Sequence, residues 1–510
     1  MMNQKGGDQY DQWLEQLHID FKHWAWGPVS RSFKALVQSS KHTQEQAKVA
    51  IAQLLNAMDG ETESAKAYMT QRLCDAFIRK MPHWDDIDPI SMDQSPHVSQ
   101  LNTQVFEEGK AGLDELVVIK LNGGLGTSMG CQGPKGLIEV KNQHSFLSWT
   151  TLQLNAFNQR YNTRVPLILM NSAYTHEATR QWGQDHEDII YIQQSMAPRL
   201  LEGSFLPCKD LSVAESKYPP GHAELYWVLI ESGLYEQLIS DGKRYAMISN
   251  IDNMGASVHL GIYGWLRANR VPFVMEVSQR TMADKKGGAV VKINDQMSLL
   301  EAAQVPHAHH AQFEDISTFT AFNTNTIWVD LVNLYETVTK KGLELPVIMN
   351  QKQIESCPIV QLEAAIGAGI SNFPDAQVMG VNRDRFLPIK TTRDLFLLQS
   401  DLYALDSSGA PSRAKNHHEK EGPIVTLSEE FAKIQNYQDR VQVHPSLVAA
   451  THVQLKGDIW FLEPTILVGR VVIEVEQGAR FELPKGQYKN CKLYISRDGQ
   501  QTQVSISGED

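Results

Sequence analysis

Residues 115–136 read ELVVIKLNGGLGTSMGCQGPKG. The opening run, ELVVIKL, is short and mostly apolar, which reads as a strand buried on both faces rather than an amphipathic helix. Behind it six glycines (Gly123, Gly124, Gly126, Gly130, Gly133 and Gly136) fall within one loop. Glycine loses more backbone freedom on folding than any other residue, so six in one loop call for a reason. At a strand's carboxyl end they let successive N–H groups, between Asn122 and Gly130, turn inward and approach an anion. Thr127 and Ser128 add hydroxyl donors, and Pro134 fixes φ ahead of Lys135, whose ammonium suits a phosphate. Two familiar templates fail. Walker A needs Lys followed by Ser or Thr, whereas Lys135 precedes Gly136, and the spacing of Gly124, Gly126 and Gly130 does not fit G-x-G-x-x-G.

Outward from this stretch the same texture repeats. VPLILM, RYAMISNI, VPFVMEV and GAVVKI are further apolar strand candidates, separated by helix candidates such as FLSWTTLQLNAFNQRY and LYWVLIESGLYEQLI. Continuous apolar strands alternating with helices predict an α/β fold, a Rossmann-like doubly wound mixed sheet that places ligands at strand carboxyl ends. Residues 1–110 read as a helical extension, with QEQAKVAIAQLLNAM at helical spacing and Met81–Pro96 as a connecting loop. Residues 111–405 carry this α/β pattern, and 406–510 hold a polar linker, SSGAPSRAKNHHEKEGP, followed by a small β domain resembling a short left-handed β-helix.

The chain has 510 residues, long enough for two or three domains. Its formal net charge of -12 argues against a nucleic-acid interface. No apolar run is long enough for a membrane span and the start lacks a signal region, so the expectation is a cytoplasmic protein. The five cysteines, Cys74, Cys131, Cys208, Cys357 and Cys491, are dispersed, without a CxxC pair or zinc spacing. Cys131 has no histidine nearby in sequence, which gives no basis for a covalent nucleophile.

LNGGLGTSMGCxGPK resembles the signature of the UTP–glucose-1-phosphate uridylyltransferase family. NSAYTHEATR, YPPGHAELY, SNIDNMGA, KKGGAVV, AQVP, FNTNTIWV, VQLEAAIGA and RFLPIKTTRDL resemble family segments in the family's order, from Leu113 to Tyr403. The resemblance implies a nucleotidyltransferase of GT-A-like architecture that takes UTP and glucose 1-phosphate and yields UDP-glucose and pyrophosphate, assisted by Mg²⁺. Two departures, Gly136 for a serine and AELY for GDIY after His222, keep open an alternative sugar 1-phosphate, of N-acetylglucosamine or galactose. A sugar-transferring glycosyltransferase would carry a D-x-D-like motif, whereas SNIDN has one aspartate. A non-catalytic binding protein would lack a lysine or the aspartate.

The resemblance also implies roles for single residues. Lys135 and Lys390 are the catalytic phosphate-binding lysines. Leu121, Asn122, Gly123, Gly124, Gln194, Gly221 and Asp252 surround the nucleotide, with Gln194 on uracil, Gly221 on the uridine and Asp252 as the metal ligand. His222 faces the sugar phosphate, and Asn250, Asn325 and Glu301 serve substrate binding, with backbone at Gly288 near the ring. Thr391 and Asp394 show the spacing of a capping box, which puts Lys390 at a helix entrance. Family members occur as monomers and as assemblies built through the carboxyl-terminal β domain, so a homo-oligomer through that domain is allowed.

Overall fold

The computed structural model describes residues 17, 19, 23–78, 82–131, 133–186, 188–212, 215–285, 287–405, 411–414 and 422–506. Among the described residues three helices come first: α1 (Trp26–Val37), α2 (Lys41–Ala57) and α3 (Glu63–Ile78). α2 buries Gln44, Ala47, Ala50, Ile51 and Leu54, the face expected from its spacing, and Ser40 caps it by accepting from Thr43 N at 3.2 Å. The segment expected to be a plain connecting loop supplies a short strand, β1 (Ile87–Pro89). Ile87 explains this: it is buried with Ala289, Val291 and Leu300 of the hairpin its strand borders. Met81, the loop's expected start, lies outside the described residues.

The apolar runs of the sequence are strands: β2 (Leu116–Asn122), β3 (Leu167–Asn171), β6 (Tyr245–Asn250), β7 (Phe273–Gln279) and β8 (Ala289–Ile293). Between β2 and β3 runs helix α4 (Phe146–Tyr161). β4 (Ile189–Gln193) and β5 (Leu200–Leu201) precede two helices, α5 (Leu225–Glu231) and α6 (Leu234–Ser240). The sequence read these two as one helix; Gly233, at φ 73, breaks it. β9 (Gln296–Leu300), β10 (Ala321–Asp330), β11 (Ile348–Ile354), β12 (Cys357–Glu363) and β13 (Gln377–Gly380) complete the series.

By Cα proximity the chain divides into two compact units. Unit 1 takes Met1–Gly123, Tyr161–Asn250 and Val258–Arg383. Its core is a 10-stranded mixed sheet in the order β1-β8-β10-β6-β2-β3-β4, with β9 on β8, and β7 pairing with both β10 and β13. β6, β2, β3 and β4 run parallel, while β10 is antiparallel to β6, β7 and β8. Every residue of β2 and β3 is buried, which is why these strands lack alternation. The buried Lys120 of β2 donates to Ser249 Oγ of β6 at 2.8 Å.

Unit 2 takes Gly124–Arg160, Ile251–Ser257 and Asp384–Asp510. It holds the glycine loop, helix α7 (Thr392–Gln399) and a five-stranded sheet of β14 (Ile424–Leu427), β15 (Ala450–Lys456), β16 (Thr465–Val475), β17 (Gly486–Ile495) and β18 (Gln501–Ser505), beside shorter strand pairs. The first four stack in parallel and β18 closes antiparallel. Val425 pairs with Val453, Val453 with Val471, and Val471 with Cys491, a ladder of buried side chains. Burying each such valine contributes about 1.5–3 kcal/mol. Lys141 Nζ donates to Leu398 O at 2.7 Å and Ser400 O at 2.6 Å, satisfying carbonyls at the end of α7.

Candidate active site

The glycine loop begins where β2 ends. Leu121 is buried and pairs with Asn250 of β6 and Met170 of β3. Asn122 is buried as well: its Nδ2 donates to Asn171 Oδ1 at 2.7 Å and Thr179 Oγ1 at 3.0 Å. Its amide nitrogen thus fastens neighbouring segments, while its buried Oδ1 has no hydrogen-bond partner among the described residues. Gly123 O accepts from Ser172 Oγ at 2.8 Å, and a Cβ at Gly123 would lie 2.3 Å from Gln194 Oε1. At Gly124 a Cβ would meet nothing within 4 Å, so crowding by this chain does not explain that glycine.

The loop is less open than its composition suggested. Thr127 N donates to Leu125 O, Met129 N and Cys131 N to Gly126 O, and Gly130 N to Thr127 O. Lys135 N closes the loop onto Gly124 O at 3.1 Å. The expectation that amides from Asn122 to Gly130 stay unpaired is therefore corrected: those of Thr127, Met129 and Gly130 are engaged within the loop. A short stretch that folds on itself satisfies its backbone locally, a feature composition cannot reveal.

Unit 2 brings Lys135, Asp252 and Lys390 into one neighbourhood. Lys135 Nζ donates to Asp252 Oδ2 at 2.5 Å, with both side chains largely buried. Asp252 Oδ1 is buried and has no hydrogen-bond partner among the described residues. Ile389 N donates to Asp252 O at 3.1 Å, and Asn253 bridges Pro388, which sets Lys390 beside this turn. The capping box is present: Asp394 Oδ2 accepts from Lys390 N, Thr391 N and Thr391 Oγ1, each at 2.9 Å. Asp394 thereby holds the backbone of Lys390, whose side chain is exposed. One carboxylate with an orphaned oxygen is a donor set that fits a hard divalent cation, which takes few protein ligands beside phosphate and water.

Unit 1 gathers the remaining candidates in two groups. In the first, Gln194 is buried, and its Nε2 lies 3.5 Å from Gly221 O. Gly221 sits at φ 94, and a Cβ there would come within 3.2 Å of Ala364 O and of Glu363 Cβ, so only glycine fits. His222 Nδ1 accepts from Ile366 N at 3.0 Å, which places the hydrogen of the neutral ring on Nε2. Beneath them Glu224 is buried, accepting from Ser195 N at 3.0 Å and from Ser195 Oγ. Burial pushes its carboxyl up to about 7, against the lowering effect of the Ser195 bonds.

In the second group Asn325 Nδ2 donates to Asn250 Oδ1 at 3.0 Å. Asn325 occupies a bulge: Met275 of β7 pairs with Ile327 of β10, yet Val277 pairs with Asn323. The left-handed backbone of Asn325, at φ 56, follows from that bulge. Asn325 N donates to Asn323 Oδ1 at 2.8 Å, and Asn323 N to Gly288 O at 3.1 Å. A Cβ at Gly288 would lie 2.7 Å from Glu301 Oε1, so Asn250, Asn325, Gly288 and Glu301 form one connected series. Ser172 and Asn323 were not singled out in the sequence, and Glu224 was noted there only as a departure from GDIY. The signal that would find them is a polar residue at a strand end or inside an apolar helix start.

The family model for UTP--glucose-1-phosphate uridylyltransferase matches residues 66–467. The UTP--glucose-1-phosphate uridylyltransferase of Solanum tuberosum is 39% identical over 409 residues, covering 79% of this chain and 83% of its own. Among solved structures, a variant UDP-glucose pyrophosphorylase from Leishmania major in complex with UDP-glucose has a TM-score of 0.79 at 30% identity, covering 87% of this chain and 99% of its own. The UDP-glucose phosphorylase of Trypanosoma brucei has a TM-score of 0.78 at 32% identity, covering 88% and 100%. With a family match over most of its length and relatives of this identity, the chain belongs to the UTP–glucose-1-phosphate uridylyltransferase family.

Proposed function

We propose that this chain transfers the uridylyl group of UTP to glucose 1-phosphate, giving UDP-glucose and pyrophosphate. Family membership supports the reaction. Within the molecule the observation that carries it is the Lys135–Asp252 pair, an ammonium held by a carboxylate whose second oxygen is orphaned.

A phosphate oxygen of glucose 1-phosphate attacks the α-phosphorus of UTP. The new P–O bond forms as the bond to the β-phosphate bridge breaks, and its electron pair leaves with pyrophosphate. A phosphate monoester is already ionised near neutral pH, so no side chain need remove a proton. Two anions must meet, so the chain contributes position and positive charge. Lys135 and Lys390 supply ammonium groups, the first aimed by Asp252 and the second carried on the capped start of α7. Backbone at Leu121, Asn122, Gly123 and Gly124 lines the nucleotide, and the Gln194 amide pairs with the uracil edge next to Gly221. His222, donating through Nε2, orients the sugar phosphate, while Asn250, Asn325 and Glu301 take the sugar hydroxyls. Asp252 Oδ1 is the atom that would hold Mg²⁺, which when bound supplies hard positive charge to the triphosphate oxygens.

Glucose is favoured over the alternative sugars because Ala223 and Glu224, where the sequence departs from GDIY, are both buried. That departure alters packing rather than a hydroxyl-binding surface. The test is pyrophosphate release from UTP with the 1-phosphates of glucose, galactose and N-acetylglucosamine. Glucose 1-phosphate is expected to give the highest kcat/KM; a preference for either other sugar would overturn the assignment. In the same assay Lys135→Ala and Lys390→Ala are each expected to lower turnover about a hundred- to a thousandfold. Near-normal turnover in both would remove the lysines from the mechanism.

The same reading covers the rest of the molecule. Residues 1–110 are an extension, 111–405 a catalytic domain of GT-A-like design, and 406–510 a linker and a β domain. Parallel pairing from β14 to β17 supports a short β-helix there. Among the described residues no helix is long and apolar enough to cross a membrane. With five free cysteines, a reducing cytoplasm is the compartment that suits the chain. The β domain, whose strand β18 is exposed at all five positions, offers a surface through which copies can associate.

A further inference from the structure

Two of the dispersed cysteines meet in unit 1. The chain doubles back between Arg199 and Cys208: Leu201 N donates to Leu206 O at 2.7 Å, Phe205 N to Leu201 O at 2.9 Å, and Cys208 N to Arg199 O at 2.8 Å. The outgoing arm, β5, pairs with β12 through Leu201 opposite Ile359 and Leu200 opposite Val360. Glu202 N adds a bond to Pro358 O at 3.1 Å. Cys208 on the returning arm and Cys357 at the head of β12 thus bring their Sγ atoms to 3.1 Å. Asp210 stands two residues beyond Cys208, and a carboxylate oxygen and both sulfurs lie within 4.8 Å of one another. Among the described residues this is the one cluster of three such donors.

We propose that Cys208, Asp210 and Cys357 bind one divalent cation of the zinc class, with water in a fourth position. Both cysteines are held by backbone pairing that needs no ligand, so the two sulfur donors are preorganised. Tetrahedral zinc, with Zn–S of about 2.3 Å, sets two sulfurs about 3.8 Å apart, a separation reached by a small parting of the thiols. A disulfide would need only the two sulfurs; the third donor is what favours a cation. Two thiolates and a carboxylate carry three negative charges beside Leu201, Leu211, Ile354 and Ile359, surroundings that disfavour bare charge. A bound dication reverses that balance: two metal–sulfur bonds form and the two thiol protons are released to solvent. Thiolates select zinc-class ions, whereas the lone carboxylate of Asp252 suits Mg²⁺, so the two sites take different metals. Cys208 and Cys357 are buried and Asp210 is exposed, so the cation enters, and the water sits, on the Asp210 side. The far end of β12 is Glu363, packed against Gly221, so the metal would fasten the strand that backs this glycine.

The test is titration of the full, metal-free chain with Co²⁺ under a phosphine reductant. One equivalent is expected to produce sulfur-to-cobalt charge-transfer absorption and tetrahedral visible bands, with release of two protons; Zn²⁺ should then displace it one for one. Cys208→Ser and Cys357→Ser should each weaken the charge-transfer band, and the double variant should lose it. Asp210→Asn, at an exposed position that leaves folding intact, should keep the band but shift its titration to higher Co²⁺. The proposal is overturned if the unaltered chain shows no such band, if the band survives in a folded Cys208→Ser/Cys357→Ser double variant, or if Asp210→Asn leaves the titration unchanged.

Discussion

Glu224 sits fully buried beneath Gly221 and His222, and its carboxyl titrates near 7 rather than at the ordinary 4.5. Between these two values the folded chain keeps a proton that the unfolded chain has released. Stability therefore falls as pH rises through that window, and below 4.5 the effect vanishes because both states are protonated. The shift corresponds to about 3 kcal/mol. Glu224→Gln has no such titration, so between pH 4.5 and pH 8 its unfolding free energy should gain about 3 kcal/mol on that of the unaltered chain. Paired urea-unfolding curves at the two pH values check this; an unchanging difference would contradict the raised carboxyl. A glutamate after Gly-His-Ala is visible in sequence, but its burial is not, because only the folded chain surrounds it with Ser195 and helix α5. Asn122 makes the converse point. Its place in the signature was legible, whereas the turning of its side chain toward Asn171 and Thr179 depends on strands and helices far away in sequence.

At the scale of elements, the strands around β2 were legible because burial on both faces leaves an unbroken apolar run. β10 was not, since FNTNTIWV interrupts its apolar positions with the polar residues of a bulge. That bulge sets Asn325 against Asn250, so the feature that hid the strand is also the one that places a candidate substrate residue. The capping box of α7 was legible because its spacing is local. Its consequence for catalysis is testable. Asp394→Ala removes the acceptor of three bonds, two of them from backbone N–H groups, and should cost about 1 kcal/mol in stability. Lys390 would keep its charge but lose its fixed starting point, so kcat should fall, though less than in Lys390→Ala. Steady-state kinetics beside a thermal melt separate the two effects. A stability loss with unchanged kcat would mean that the cap serves only the helix.

At the scale of the whole chain, the two units are each assembled from three separate segments, and two of the five crossings between them fall after Gly123 and after Asn250. Composition marks the first of these two points, where an apolar run gives way to glycines, and not the second. Both follow paired parallel strands whose ends carry Asn122 and Asn250, so candidate ligand-binding positions and these two boundaries coincide along the sequence. The β domain was legible as strand-rich from its β-branched residues and turn glycines, but its ladder was not, because Val425, Val453, Val471 and Cys491 have no fixed repeat length between them. That ladder ends in β18, which pairs on one side only and exposes Val504 at 57%. An exposed edge with an apolar residue is the kind of surface that pairs with another chain, and natural edges avoid this by carrying charge. If copies join there, placing a lysine at the centre of the seam should separate them. Light scattering of the full chain is therefore expected to give a mass above that of one chain, and Val504→Lys to return it to one chain with turnover retained. The same mass for both proteins would exclude β18 as the seam. Because Val504 is solvent-exposed, its replacement removes little from the core, so a fall in mass would report association rather than unfolding.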